Sequence, residues 1–340
     1  VFGVLGVLFL GAAAARGYGA EPARLGLGEP PAKAAGAIRL ATYNILNLFD
    51  DRDDPSLAGR FDDWFDRDKG IRAKPPEQQA AVAATMRLLD ADVIGLEEIE
   101  SFDALIEFRE KYLQGMGYDH VVSIDVGQER GIEQAVLSRF PIREATVWPT
   151  QSLGGVHPEM VGSRKNDLAG QPIDSRRSPL RVVVEVPAER AGGKPYELTL
   201  FVVHHKSGFG YDYWREREVA KLMETIREMQ SREPSRNIAV LGDFNARPTD
   251  RPVQMYSEAG MIDTLANRVE GEARYLTHES DRTIDFIFVN GALQNEVVEN
   301  SAFVLGTPLR AKGADWRTTP TPEGFAADHQ PVAVDIMPRD

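Results

Sequence analysis

From residue 38 to residue 336, short apolar runs of strand length alternate with longer stretches whose apolar residues recur at helical spacing. Strand-like runs fall at 38–46, 93–96, 120–124, 135–138, 180–186, 197–204, 238–241, 283–289 and 332–336, and helical periodicity marks 77–89, 102–114 and 214–230. Strands and helices interleaved to the end predict one α/β domain over residues 38–338, with no fixed-period repeat and no compositional break to divide it. Three long irregular stretches, 50–74, 151–174 and 306–325, are expected to be loops rimming a site, because long loops in compact domains tend to carry function. Period alone suggests an ordinary doubly wound sheet.

Ahead of the domain, Val1 to Ala15 form an apolar run that passes into small residues, with Tyr18-Gly19-Ala20 as a cleavage region. This reads as a signal peptide over 1–20. Residues 21–37, rich in Ala, Gly and Pro without hydrophobic period, read as a flexible linker. The expectation is a secreted or periplasmic monomer with no stable membrane insertion once the leader is removed. An uncleaved anchor is disfavoured because the run falls short of the roughly 20 residues that a span needs. With no cysteine in the chain, lipoprotein attachment, disulfides and thiolate metal sites are all excluded.

Composition adds a constraint. Hydrophobic residues at 42% supply a substantial core, while a net charge of −13 provides no global field for a polyanion or an anionic membrane. A passive nucleic-acid-binding module is therefore disfavoured. An acidic chain can still act on a phosphodiester if its carboxylates hold metal ions, since the bound cation reverses the local field.

Candidate chemistry sits at the ends of the apolar runs. Ile238-Ala239-Val240-Leu241 leads through Gly242 to Asp243 and Asn245, which share a face in extended chain and can reach one centre. The bland alternative is a turn in which Asp and Asn bond nearby backbone. Asp328-His329 precedes the last strand, and a histidine there can serve as general base near neutral pH. His204-His205-Lys206-Ser207 closes another strand, where a cation can stabilise negative charge on phosphate oxygens. Tyr43-Asn44 and Glu97-Glu98 close two more. Asp285 lies inside an apolar strand and needs a partner such as a histidine, because a lone buried carboxylate is costly.

Taken together and in order, these segments resemble the endonuclease/exonuclease/phosphatase superfamily, which includes pancreatic deoxyribonuclease, apurinic-site endonucleases, inositol polyphosphate phosphatases and bacterial sphingomyelinases. The resemblance spans Arg39 to Ile336 and is most specific at Gly242-Asp243-Phe244-Asn245 and Asp328-His329. It implies a four-layer sandwich of two mixed β-sheets flanked by helices, not a single sheet. It also implies that Asn44, Glu98 and Asp328 hold a catalytic Mg²⁺ or Mn²⁺, and that Asp243 and Asn245 bind phosphate or metal across the cleft. In the same pattern His329 is the general base oriented by Asp285, and His204 contacts the scissile phosphate. Where the family has Gln-Glu this chain has Glu97-Glu98, so Glu97 reads as either an extra carboxylate or one without a role. His205 replaces an apolar residue and reads as structural. Arg130 and Arg177 lie in stretches similar to those of predicted secreted bacterial nucleases; guanidinium geometry suits a phosphate, and a solvated surface arginine is the equal alternative for each.

The reading is a secreted, metal-dependent phosphodiesterase with a nucleic acid substrate. The alternative is a phosphodiesterase or phosphatase acting on a lipid or small-molecule phosphoester, for which Phe61, Trp64 and Phe65 in the 50–74 loop are the candidate membrane contact, disfavoured by the many Asp residues of that loop. A non-catalytic binding module that has kept the fold is a third reading, disfavoured because a scaffold needs none of these residue types together.

Overall fold

The computed structural model describes residues 23–52, 73–128, 130–265, 269 and 271–339. The expected signal peptide and the aromatic cluster Phe61, Trp64 and Phe65 lie outside them.

In chain order the elements are β1 (Ile38–Leu48), α1 (Pro76–Leu89), β2 (Val93–Ile99), α2 (Phe102–Tyr112), β3 (His120–Ser123), β4 (Glu133–Ser138) and β5 (Ile142–Thr146). Next come β6 (Ser152–Val156), β7 (Met160–Val161), β8 (Arg164–Lys165), β9 (Pro172–Asp174), β10 (Leu180–Val186), β11 (Tyr196–His204), α3 (Asp212–Arg232) and β12 (Asn237–Asp243). The chain closes with α4 (Arg251–Glu258), β13 (Ile262–Asp263), β14 (Asp285–Val289), α5 (Gly291–Gln294), β15 (Phe303–Val304) and β16 (Val332–Ile336).

Two mixed six-stranded sheets form, in the orders β15-β16-β1-β2-β4-β3 and β13-β14-β12-β11-β10-β5. Each contains one parallel pair, β1 with β2 and β11 with β12, flanked by antiparallel neighbours. Side-chain alternation explains the stacking. In β1, Ile38 and Leu40 join Val182, Leu200 and Leu241 in the core between the sheets, whereas Ala41, Tyr43 and Ile45 face Val82, Met86 and Phe108 of α1 and α2. In β12, Ala239 and Leu241 point inward, while Ile238 and Val240 meet Val219, Leu222 and Tyr256 of α3 and α4. Four layers result, as the family resemblance implied and as period alone did not. The sheets come close at Gly95, where a Cβ would stand 2.4 Å from Leu241 Cδ1.

Two expectations need correction. Residues 23–37 are not a free linker: Leu25 is buried, Leu27 N–H bonds Val304 O at 2.8 Å, and Lys33 pairs with Asp92 at 2.7 Å. A segment without hydrophobic period can still be fixed by backbone bonds and single charges. The 151–174 stretch is not irregular either, since it folds into the pairs β6–β9 and β7–β8. Both lie largely in solvent, so their strands lack the apolar alternation that would have marked them.

Candidate active site

The inner-face alternation that builds the inter-sheet core also builds the site. Two residues beyond the last aliphatic position on each central strand, the inner face turns polar. Leu40 is followed by Thr42 and Asn44, Val93 and Gly95 by Glu97, Val202 by His204, and Leu241 by Asp243. Antiparallel β14 begins where the parallel strands end, which places Asp285 beside Asp243 in register, with His204 on the other side. Gly242 lets β12 arrive at that point: its φ is +142°, and a Cβ there would meet Val203 O at 1.9 Å.

Asp243 is the hub. Its Oδ2 accepts from Asn44 Nδ2 at 3.3 Å and from Asn245 Nδ2 at 2.9 Å, and its Oδ1 accepts from Asn245 N–H at 2.8 Å. The turn reading and the shared-centre reading of this motif are therefore both realised. Oδ2 also lies 3.5 Å from His204 Nε2 and 3.9 Å from His329 Nε2. His329 Nδ1 sits 3.0 Å from each oxygen of Asp285, which is the partner that the buried carboxylate requires. Glu98 reaches the same centre through a break in strand register: its φ is +66°, and Oε1 comes within 3.9 Å of His204 Nε2.

Arg130 is placed at the site but is committed to protein: Nη1 bonds Glu98 Oε1 at 3.2 Å and Nη2 bonds Asn47 Oδ1 at 2.6 Å. Arg177 is anchored on His205 O at 3.1 Å and Ser207 Oγ at 3.4 Å. Glu97 is not idle. It is fully buried, accepts from Thr42 Oγ1 at 2.8 Å, and leaves its other oxygen without a hydrogen-bond partner.

Crowded buried carboxylates set the charge states. Burial, reinforced by Asp285, raises Glu97 well above the usual carboxylate range. Burial also raises Asp243 to about 6, against the pull of His329. The two histidines diverge. Burial, together with Arg177 and Arg130, lowers His204 well below its ordinary value. Burial acts in the same sense on His329, but Asp285, Asp243 and Asp328 outweigh it and raise the imidazole well above that value.

Each expected metal ligand has a protein neighbour. Asn44 turns its amide to Asp243 and Glu98 is engaged by Arg130, whereas Asp328 stands beside His278, with Oδ2 at 3.5 Å from Nε2. Among the described residues, two acid–histidine groups have ligand atoms close enough for an ion: His278, Asp328 and His329, and Asp243, Asp285 and His329. A hard divalent cation fits this chemistry, because the donors are mostly carboxylate and amide oxygens and Asp328 Oδ1 is buried without a hydrogen-bond partner. Lys74 marks the same region: it feels both Asp328 and Glu98, yet burial lowers it to about 8.

Lys74 and His278 were missed in the sequence because each lies in an irregular segment. The histidine is found through its approach to Asp328 and its edge-on contact with the His329 ring, with centroids 4.6 Å apart.

A model of the Endonuclease/Exonuclease/phosphatase family matches residues 41–307. The chain belongs to this family, whose members hydrolyse phosphoesters and typically depend on divalent metal. The match takes in every site residue above except Asp328 and His329, which lie beyond it. No curated protein sequence matches this one significantly.

Solved structures share the fold. The human Nocturnin catalytic domain with bound sulfate is 14% identical, with 89% of this chain and 95% of that one aligned at a TM-score of 0.53. An endonuclease/exonuclease/phosphatase family protein of Bacteroides thetaiotaomicron is 17% identical over 88% and 97%, with a TM-score of 0.52. The mannosyl-6-phosphatase of Bacteroides thetaiotaomicron is 17% identical over 87% and 98%, with a TM-score of 0.51.

Proposed function

We propose that this protein is an exported phosphodiesterase that uses Mg²⁺ or Mn²⁺ and cleaves nucleic acid. The observation that carries the reading is the convergence, at one rim of the sandwich, of the His329–Asp285 pair with His204, Asp243 and the anchored Arg177.

In this reading His329 keeps its Nδ1 proton on Asp285 and presents Nε2 to the attacking water. The surrounding carboxylates by themselves hold this imidazole charged; a cation bound beside them would offset that pull and leave Nε2 free to accept the proton of the water. His204, neutral through burial, donates to a non-bridging phosphate oxygen. Arg177 supplies positive charge to the same group, with two of its donor directions already fixed on His205 and Ser207. Both N–H groups of Asn245 are engaged, by Asp243 Oδ2 and His205 O, so its part is to hold Asp243 in place. Asn44, Glu98 and Asp328 would hold the cation. Bound there, it would polarise the phosphoryl group and neutralise the leaving oxygen.

Support for nucleic acid over a small phosphoester is the positive charge of Arg177 and Lys206 beside one another at the site of a chain whose net charge is −13. Export rests on the apolar leader. Among the described residues no helix is long and apolar enough to cross a membrane.

The test is hydrolysis by the purified protein of plasmid, single-stranded DNA, RNA, sphingomyelin and an inositol phosphate, with Mg²⁺, with Mn²⁺ and with chelator. Metal-dependent cleavage of DNA or RNA is expected. Cleavage of the lipid or the inositol phosphate alone would overturn the nuclease reading.

A further inference from the structure

Behind the cleft lies a buried polar chain that the reaction itself does not use. His205 points away from the site into the layer between the second sheet and its helices, where it is 5% exposed. Its Nδ1 is 3.1 Å from Glu218 Oε2 of α3, and its Nε2 is 2.8 Å from the Tyr256 hydroxyl of α4. Glu218 and Tyr256 are 8% and 0% exposed. Glu218 Oε2 also accepts from Lys206 N–H at 3.0 Å, so the carboxylate grips both the ring and the following peptide.

With Nδ1–H donating to Glu218, a neutral ring accepts from the tyrosine hydroxyl at Nε2. The ring is further wedged edge-on against Phe244, with centroids 5.5 Å apart.

The other face of this residue is its carbonyl oxygen, which accepts from Arg177 Nη1 and from Asn245 Nδ2, each at 3.1 Å. One backbone oxygen thus fixes both the arginine that faces the cleft and the asparagine that holds Asp243. An ordinary apolar residue at position 205 would fill the space but would lose the two ring contacts, leaving this peptide to packing and to the Lys206 N–H bond with Glu218.

We propose that Glu218, His205 and Tyr256 form a positioning relay in which two outer helices set the orientation of the 205 carbonyl, and through it the aim of Arg177 at a phosphate. The inference rests on the proposed phosphate chemistry of the site but makes a separate claim about the anion cradle. Its residues position and do not react.

The test uses the full chain and the variants Tyr256→Phe and Glu218→Gln, which keep ring and shape while removing a hydroxyl or a charge, together with Arg177→Ala. Two quantities are read: the affinity of the protein for inorganic phosphate by calorimetry, and kcat and KM on bis-p-nitrophenyl phosphate with Mn²⁺. Tyr256→Phe is expected to weaken phosphate binding and to lower kcat by roughly fivefold to tenfold each, the worth of one buried hydrogen bond. Adding Tyr256→Phe to Arg177→Ala should cost nothing further, because the relay then has no arginine to aim.

Wild-type values in both Tyr256→Phe and Glu218→Gln, or losses that multiply with that of Arg177→Ala, would overturn the relay while leaving the phosphodiesterase reading intact. Conversely, phosphate binding that follows the predicted pattern in a protein that hydrolyses no phosphodiester would sink the functional reading and keep the relay. Circular dichroism melts within a few degrees of wild type separate either result from misfolding.

Discussion

Replacing Asp285 by Asn tests the link between charge and catalysis most directly. The carboxylate is 1% exposed, and both of its oxygens lie 3.0 Å from His329 Nδ1. The substitution keeps the volume and removes the charge that balances an imidazolium. A hydrogen bond to a buried charged group is worth about 1.5–3 kcal/mol. At about 1.4 kcal/mol per factor of ten, losing it from the transition state lowers kcat by roughly 10- to 150-fold. Two effects on stability oppose each other, because the substitution takes away the partner of buried His329 and also relieves the repulsion that Asp285 exerts on Asp243, so the urea midpoint should move less than for the loss of a buried pair alone. The assay is steady-state hydrolysis of bis-p-nitrophenyl phosphate at saturating Mn²⁺, paired with a urea melt. Wild-type kcat in Asp285→Asn would refute the orienting role. A large loss of kcat accompanied by unfolding would show that Asp285 serves the fold first.

Other consequences follow from burial and close approach. Gly95→Ala places a methyl 2.4 Å from Leu241 Cδ1 and 3.0 Å from Val202 Cγ2, and should cost about 1–3 kcal/mol in a denaturant melt; an unchanged midpoint would mean that the sheets can part freely. Arg39→Ala strands Asp335, which it holds at 2.7 Å with both side chains nearly inaccessible, so a loss of about 3–5 kcal/mol is expected and a neutral result would refute the burial argument. Burial raises Glu133 to about 9, so the native state binds the extra proton between the unfolded value near 4.5 and that point. Stability should therefore fall as pH rises through this window, by up to about 1.4 kcal/mol per pH unit from this group. Glu133→Gln should flatten the slope in urea melts at pH 5, 7 and 9; a slope unchanged from wild type would assign it to other groups.

How much of this was legible in the sequence depends on where each signal lies. The strands β1, β11, β12 and β14 announce themselves by apolar content, and Asn44, His204, Asp243 and Asp285 follow as polar interruptions at their ends. Strand β5 was missed because its middle residues Arg143, Glu144 and Ala145 are exposed, and β13 and β15 because two residues carry no period. Helix α4 has only eight residues and opens on Pro252 near its start, too short for a periodic signal.

The facing of two sheets is a tertiary fact that alternation permits without selecting. His278 is likewise recognisable only once distant loops meet. Glu218 was the exception that a closer reading would have found: it falls one turn from both Trp214 and Leu222 on the buried stripe of α3, where an acid demands a partner.

The ordered strap ahead of β1 bears on how the protein can be handled. Arg24 bonds Asp281 Oδ1 and Glu279 O, and Glu279 N–H in turn bonds Asp328 O, so the strap begins beside the cleft. At the other end Ile336 pairs with Ile38, a full strand length from Asn44. A purification handle or surface tether joined ahead of Ala23 would emerge next to the substrate entrance and compete for it. One joined after Met337 would leave from the opposite pole, with the mouth unobstructed.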